Sequence, residues 1–305
     1  MISLEGWSVM SALFYTPLSH RALIKVGGDD RKDFLQGLVS ADVPRADGSR
    51  GLYGAFLTPQ GKFLNELFLA EQTEILWLET EAARRAEFVK KLSMYKLRAK
   101  VTVAADDSRT VFALWGDGAA QALVLAADAG AFGGGLALKD PRLADAGFRA
   151  WLPEGGEAAL QAAGFTRADV TAWDERRIAL GLPDGSRDLE PEKALLLENG
   201  FDELYGVDFK KGCYMGQELT ARTKYRALIK KRLLPVRISG AVPETGTPVL
   251  LGEAEAGELR SHCGQSGLAL LRLEQLAEWR EKGGTLRCGD AALTPSVPDW
   301  VVLPA

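Results

Sequence analysis

The 305-residue chain has only two histidines, His20 and His262, and three cysteines, Cys213, Cys263 and Cys288. Two imidazoles so far apart argue against a multi-histidine metal centre and against a Ser-His-Asp hydrolase. Three scattered thiols with no CxxC pair exclude a disulfide scaffold and a zinc ribbon, and unpaired cysteines point to a reducing compartment, read here as the cytoplasm. No apolar run reaches the ~18 residues of a membrane-spanning helix. Residues 9–18 (VMSALFYTPL) are interrupted by Pro17 and lack a basic flank, so neither a signal peptide nor a membrane partner is expected. With 47% hydrophobic and 26% charged residues and only 13 prolines, the composition excludes a disordered or collagen-like chain and predicts a globular protein of about two domains.

The net charge of −4 is too small and of the wrong sign for a general nucleic-acid binder, but it conceals an uneven distribution. Between Arg84 and Lys100 seven basic side chains stand against one acidic, Glu87. Between Lys210 and Arg232 eight stand against one, Glu218. Either run alone reads as a solvated face; brought together by the fold, they would favour an anionic ligand.

Residues 21–26 (RALIKV) read as a strand, followed by a helix capped at Asp29 or Asp30 and continuing through FLQGLV. YGAFLT and KFLNELFLA flank Thr58-Pro59-Gln60-Gly61, whose Pro and Gly suit a type I turn, so a hairpin is predicted. EILWLET is a strand, residues 81–92 a helix, and YKLRAKVTV a returning strand. TVFALW, GFRAWL and the helical EAALQAAG and ADVTAWDERRIALGL continue the mixture. Hairpins among alternating strands and helices predict an α+β fold rather than a doubly wound parallel sheet. Gly116-Asp117-Gly118 lacks the third glycine of a dinucleotide fingerprint, since Gln121 stands there. Beyond Arg232, short apolar segments separated by Pro and Gly predict a small β-barrel or sandwich. The expected division is therefore 1–232 and 233–305.

The segment LLLENGFDELYGVDFKKGCYMGQELTARTKYRALIKKR carries most of the chemical information. A helix is predicted from near Gly216, with Lys211, Gly212, Cys213 and Tyr214 as its tight approach. Helix-start amides and the neighbouring Lys210 and Lys211 would stabilise a thiolate at Cys213, the one candidate reactive group; a buried, inert cysteine is the competing reading. Glu218 and Arg222, spaced i, i+4, can pair on one helix face.

KGCYMGQE resembles the K-G-C-Y/F-x-G-Q-E signature of the YgfZ family of folate-binding proteins. The following LTARTKYRALIKKRLLPVRI is similar to the family's mitochondrial iron–sulfur assembly branch. HRALIKVGGDDRKDFLQGLVSADV, GLYGAFLTPQGKFLNE, YKLRAKVTV and RRIALGLPD extend the resemblance more loosely over most of the chain. The family shares its fold with the T-protein of the glycine cleavage system, a tetrahydrofolate-dependent aminomethyltransferase. The resemblance implies a folate-binding α+β body of two α/β subdomains with a C-terminal antiparallel β-barrel. It implies tetrahydrofolate or a derivative as ligand, with no stably bound metal. A pterin offers adjacent N–H donors to a carboxylate, and its glutamate tail wants cations; by resemblance Glu198 holds the pterin, with Arg98 and Arg222 as candidates for the tail. T-protein-like enzymes carry paired aspartates after the hairpin, whereas this chain has Asn65 and Glu66, so aminomethyl transfer would lose its positioned anion. The implied role is folate-dependent assistance in assembling or repairing iron–sulfur clusters. It brings assembly proteins or cluster enzymes as partners and an indirect effect on tRNA modification. One-carbon transfer and direct tRNA binding are the alternatives.

Overall fold

Strand Arg21–Gly27 sends alternate side chains to opposite sides: Leu23 enters one apolar cluster, Ile24 and Val26 another. The same period of two divides Phe63–Gln72, with Phe68 and Ala70 on Leu23's side and Leu67 and Leu69 opposite, and Ile75–Glu81, with Trp77 set against Leu76 and Leu78. Both faces of this sheet are therefore covered. The computed structural model, which describes residues 12–226 and 229–303, shows what covers them.

Five antiparallel strands lie in the order Leu52–Leu57, Phe63–Gln72, Ile75–Glu81, Arg21–Gly27, Thr102–Asp106. Six more form a second sheet, in which Phe165–Arg167 pairs parallel with Leu13–Pro17 and every other pairing is antiparallel. The inner faces of the two sheets share one core containing Leu23, Phe68, Trp77, Val111, Trp115 and Trp151. Helices Arg31–Gln36 and Arg85–Tyr95 cover the outside of the first sheet through Leu35, Phe88 and Leu92, while Ala119–Leu123 and Gly156–Ala162 cover the second. These four layers are the expected α+β body. Of the apolar run 9–18, residues 9–11 lie outside the described residues, and Leu13–Pro17 is a strand. No helix among the described residues is long and apolar enough to cross a membrane.

From Lys231 onward six strands close into a barrel, with Leu234, Val236 and Ile238 alternating into its interior. Helix Val170–Ala179 joins body to barrel: Ile178 packs on Leu233 and Leu268, and the Trp300 indole donates to Leu180 O at 2.8 Å.

Two local expectations are corrected. The first helix stops at Gln36 instead of running through Val39; Asp30 takes its N-cap position as expected, but the Asp30 carboxylate accepts from Lys100 N at 2.7 Å instead of from the helix amides. YKLRAKVTV is not one strand. Tyr95 ends a helix, a turn closed by Ala99 N donating to Lys96 O follows, and pairing begins only at Thr102, because residues 96–100 have no neighbouring strand to satisfy them.

The hairpin turn is tied directly to the later signature. Gly61 N donates to Thr58 O, as a type I turn requires, and Gly216 lies against this turn with φ +79°. A Cβ at Gly216 would stand 2.4 Å from Thr58 O and 3.0 Å from Gly61 Cα. The left-handed backbone alone costs a substituted residue about 1–2 kcal/mol. Gly216→Ala is therefore expected to destabilise the protein by at least ~2 kcal/mol in urea titrations; an unchanged midpoint would show that this close approach is absent in solution.

Candidate functional site

The core between the sheets is apolar at one end and charged at the other, on positions of the same alternation. Arg21 precedes Leu23 by two residues, Glu66 precedes Phe68, Glu79 follows Trp77, and Arg149 precedes Trp151. All four charged side chains are buried. Glu79, on the first sheet, accepts from Arg21 Nε at 2.8 Å, from Arg149 Nε of the second sheet at 2.8 Å, and from the Trp151 indole at 2.9 Å. Arg149 also reaches Asp140 Oδ2 at 3.4 Å, and Arg142 holds both oxygens of Asp140 at 3.0 and 2.8 Å. Burial opposes ionisation of Glu79, but the Arg149 and Arg21 charges outweigh it and hold the carboxyl below its ordinary range. For Asp140 burial is likewise overcome, chiefly by Arg142.

Glu66 behaves differently. Glu66 is two residues before the inward Phe68 and shares its side, and the bulge at Leu64, between the Phe56–Asn65 and Leu57–Phe63 pairs, brings Phe63 to that side as well. One oxygen accepts from Gly185 N; the other, Oε1, has no hydrogen-bond partner, with Arg142 Nη1 3.9 Å away. Burial pushes this carboxyl up to about 7, against the pull of Arg21 and Arg142. The Tyr53 hydroxyl is also buried and unpartnered, and burial, then the Glu66 charge, pushes it well above the ordinary phenol range. Asn65 is buried with its Nδ2 unpartnered and supplies no carboxylate.

Tyr53 and Arg142 form the inner wall of a cavity of about 440 Å³ between the sheets, large enough for a cofactor-sized ligand. Its mouth carries Arg45, Arg50 and Lys139 as well as Asp42, Asp128 and Asp208. Arg45 lies 3.5 Å from Asp208, whereas Arg50 and Lys139 form no ion pair among the described residues. A hollow lined by both carboxylates and cations is thus present, but none of Glu198, Arg98 and Arg222 lines it. Arg98 and Arg222 are exposed. Glu198 stands at the junction with the barrel: Leu196 and Leu197 turn into the core, and burial raises its pKa while the backbone of Lys230 and Lys231 and the charge of Lys62 act against this. The residue expected to hold a pterin thus lies outside this cavity, at the barrel junction.

The signature segment borders the same site, since Asp208 at the cavity rim begins the loop. Cys213 is exposed, as expected of a reactive thiol. Lys211 does not turn toward it. Its ammonium donates to Gln36 O at 2.7 Å and to Val39 O, where helix Arg31–Gln36 leaves carbonyls unpaired, and burial lowers its pKa to about 8. Gly212 has φ +93°, and Tyr214 is buried 5.0 Å beneath the Lys211 ammonium. Gln217 Oε1 accepts from Tyr214 N at 3.2 Å at the start of helix Gln217–Tyr225. Glu218 and Arg222 are exposed and, contrary to expectation, unpaired with each other; Lys224 reaches Asp202 instead, at 2.8 Å. Lys211, Gly212, Tyr214, Gly216 and Gln217 therefore build a fixed loop that presents Cys213. Helix Arg85–Tyr95, within the first basic run, and Met215, within the second, pack on one apolar cluster, which brings the two runs to one side of the body.

These features define an aminomethyltransferase-T-like body with an appended barrel. Residues 230–303 match the family model of the CAF17 C-terminal beta-barrel domain. Glycine cleavage system aminomethyltransferase T from Bartonella henselae superposes with a TM-score of 0.74 at 17% identity, covering 95% of this chain and 86% of that one, which establishes the fold alone. The human mitochondrial iron-sulfur cluster assembly factor IBA57 is 35% identical, over 93% of this chain and 84% of its own length. The Pyricularia oryzae mitochondrial homologue is 32% identical, over 94% and 84%. The chain belongs to the IBA57 family of iron–sulfur cluster assembly factors. The cytoplasmic expectation is overturned by these relatives, whose names place them in mitochondria; free thiols indicate a reducing compartment without distinguishing one from another.

The Glu66 environment yields a pH test. Below about pH 4.5 Glu66 is protonated folded and unfolded alike. Between 4.5 and about 7 the folded state binds the extra proton, so this group's contribution to stability falls as pH rises, by roughly 3 kcal/mol in all. Glu66→Gln should gain stability relative to wild type across that window; a pH-independent difference would contradict the raised pKa.

Proposed function

We propose that this protein is an accessory factor in iron–sulfur cluster assembly or repair. In this reading Cys213 offers a thiolate to a cluster held by a partner, and the cavity binds a reduced folate. The observation that carries the reading is the juxtaposition of an exposed cysteine, on a loop fixed by its own signature, with a cavity whose inner wall holds the unpartnered Tyr53 hydroxyl. One cysteine does not make a four-thiolate site, so the remaining cluster ligands come from the partner.

The residues present suit a folate. The unpartnered Tyr53 hydroxyl in the wall, and Glu66 Oε1 behind Arg142, answer to a pterin's donors and acceptors, and Arg50 and Lys139 at the mouth answer to an anionic glutamate tail. A reduced folate supplies a carrier for one-carbon units. The chain's own side chains orient it and exclude water, while Asn65 provides no second carboxylate for aminomethyl transfer. That composition favours the accessory role over the transferase.

Two outcomes are expected. Cys213→Ser should lose rescue of cluster-enzyme activity in cells lacking the protein while unfolding at the wild-type temperature, because an exposed thiol contributes little packing; full rescue would remove the thiol from the mechanism. In calorimetry with 5-formyltetrahydrofolate, Arg142→Met and Arg50→Ala should each weaken binding at least tenfold while Glu198→Ala stays within twofold. The reverse ranking would move the ligand to the barrel junction.

A further inference from the structure

Helix Arg85–Tyr95 ends in an exposed apolar tip: Met94 is 68% exposed, Tyr95 41% and Leu97 90%. Leu97 also adopts a left-handed backbone, φ +44°, which a leucine enters only at a cost of ~1–2 kcal/mol. The turn closed by Ala99 N on Lys96 O holds it there. Strain that places a large aliphatic side chain in water does not serve the fold. Around the tip stand Lys90, Lys96, Arg98 and Lys100, none of which forms an ion pair among the described residues; Lys91 pairs with Glu87.

The tip lies on the side of the body that carries the cysteine loop. The Tyr95 and Phe56 rings are 6.2 Å apart, and Phe56 belongs to the cluster on which Met215 packs. Phe56 bridges to Val39, whose carbonyl receives Lys211, and Met215 N donates to Gly37 O at 3.0 Å. One buried support thus underlies both the apolar tip and the loop presenting Cys213.

We infer that this tip is a docking surface for an acidic protein partner, with Leu97 and Met94 entering an apolar socket ringed by carboxylates that face the four cations. The inference rests on the proposed role of Cys213 and adds where its partner sits. Charge complementarity selects an acidic occupant, and the aliphatic centre selects a protein: a phosphate backbone would meet the lysines and arginine but leave Leu97 and Met94 unpartnered, and a bilayer offers no ligands to complete a cluster at the adjacent thiol. Binding weakens as ionic strength rises, because Lys90, Arg98 and Lys100 are exposed and Lys96 is half-exposed.

Photo-crosslinking from position 97 of the full-length protein in cells, followed by peptide mapping, tests the surface. The expected adduct is an iron–sulfur protein joined through a segment rich in Asp and Glu. That protein, once purified, should bind Leu97→Ser and Lys96→Glu/Lys100→Glu at least tenfold more weakly, while both variants retain wild-type unfolding temperature and 5-formyltetrahydrofolate affinity. An adduct to RNA or to phospholipid, or unchanged affinity in both variants, would overturn the inference. Loss of rescue by Cys213→Ser with full rescue by both tip variants refutes this surface alone; full rescue by Cys213→Ser refutes the role on which it rests.

Discussion

The two sheets are joined by a buried charge network, and the position of the cavity depends on it. Glu79 from one sheet and Arg149 from the other meet between them, with Arg21, Asp140 and Arg142 completing the set. Charges buried this deeply are tolerated only when their hydrogen bonds are satisfied, and removing one partner of such a set costs ~3–5 kcal/mol. Phe68 sits among them, with the Arg149 and Arg142 guanidinium groups 3.8 and 4.8 Å from its ring centroid. The network ends where Arg142 becomes the cavity wall, so the element that fastens the sheets also sets the polarity of the cavity. Arg21 Nη2 and Oε1 of Glu66 stay unpartnered in this region, and the Glu66 carboxylate lies 3.8 and 3.9 Å from the Arg21 and Arg142 guanidinium groups without a hydrogen bond from either.

The cysteine loop obeys a different constraint. Five of its signature residues serve geometry: Lys211 seals helix-end carbonyls, Tyr214 fills the core, Gln217 takes up a backbone amide, and two glycines take left-handed conformations, one of them against the hairpin turn. Cys213 is left outward while Lys211 and Tyr214 on either side turn inward. A signature can therefore be conspicuous in sequence for structural reasons and still carry a single chemical group.

What was legible in the sequence follows from local rules. Period-two alternation marks the strands, Pro59 and Gly61 mark the hairpin, and the spacing of short apolar segments marks the barrel. The charge network was not legible, because Glu79 and Arg149 are 70 residues apart and only long-range register brings them together. The trace it left was a charged residue at one inward position, in step with an inward apolar residue, in each of four strands. The burial that three leucines before Glu198 suggest is present, but its place at the barrel junction depends on contacts with Lys230 and Lys231 that no local pattern shows. Alternating Lys96, Arg98 and Lys100 imitate a strand, but lacking a pairing partner they form an exposed tip.

The most direct test of the account is a crystal structure of the full-length protein grown with saturating 5-formyltetrahydrofolate. The account predicts the pteridine between Tyr53 and Arg142, near Glu66, with its glutamate tail leading out past Arg50 and Lys139. Ligand density beside Glu198 at the barrel junction, or a cavity without ligand at saturation, would contradict it.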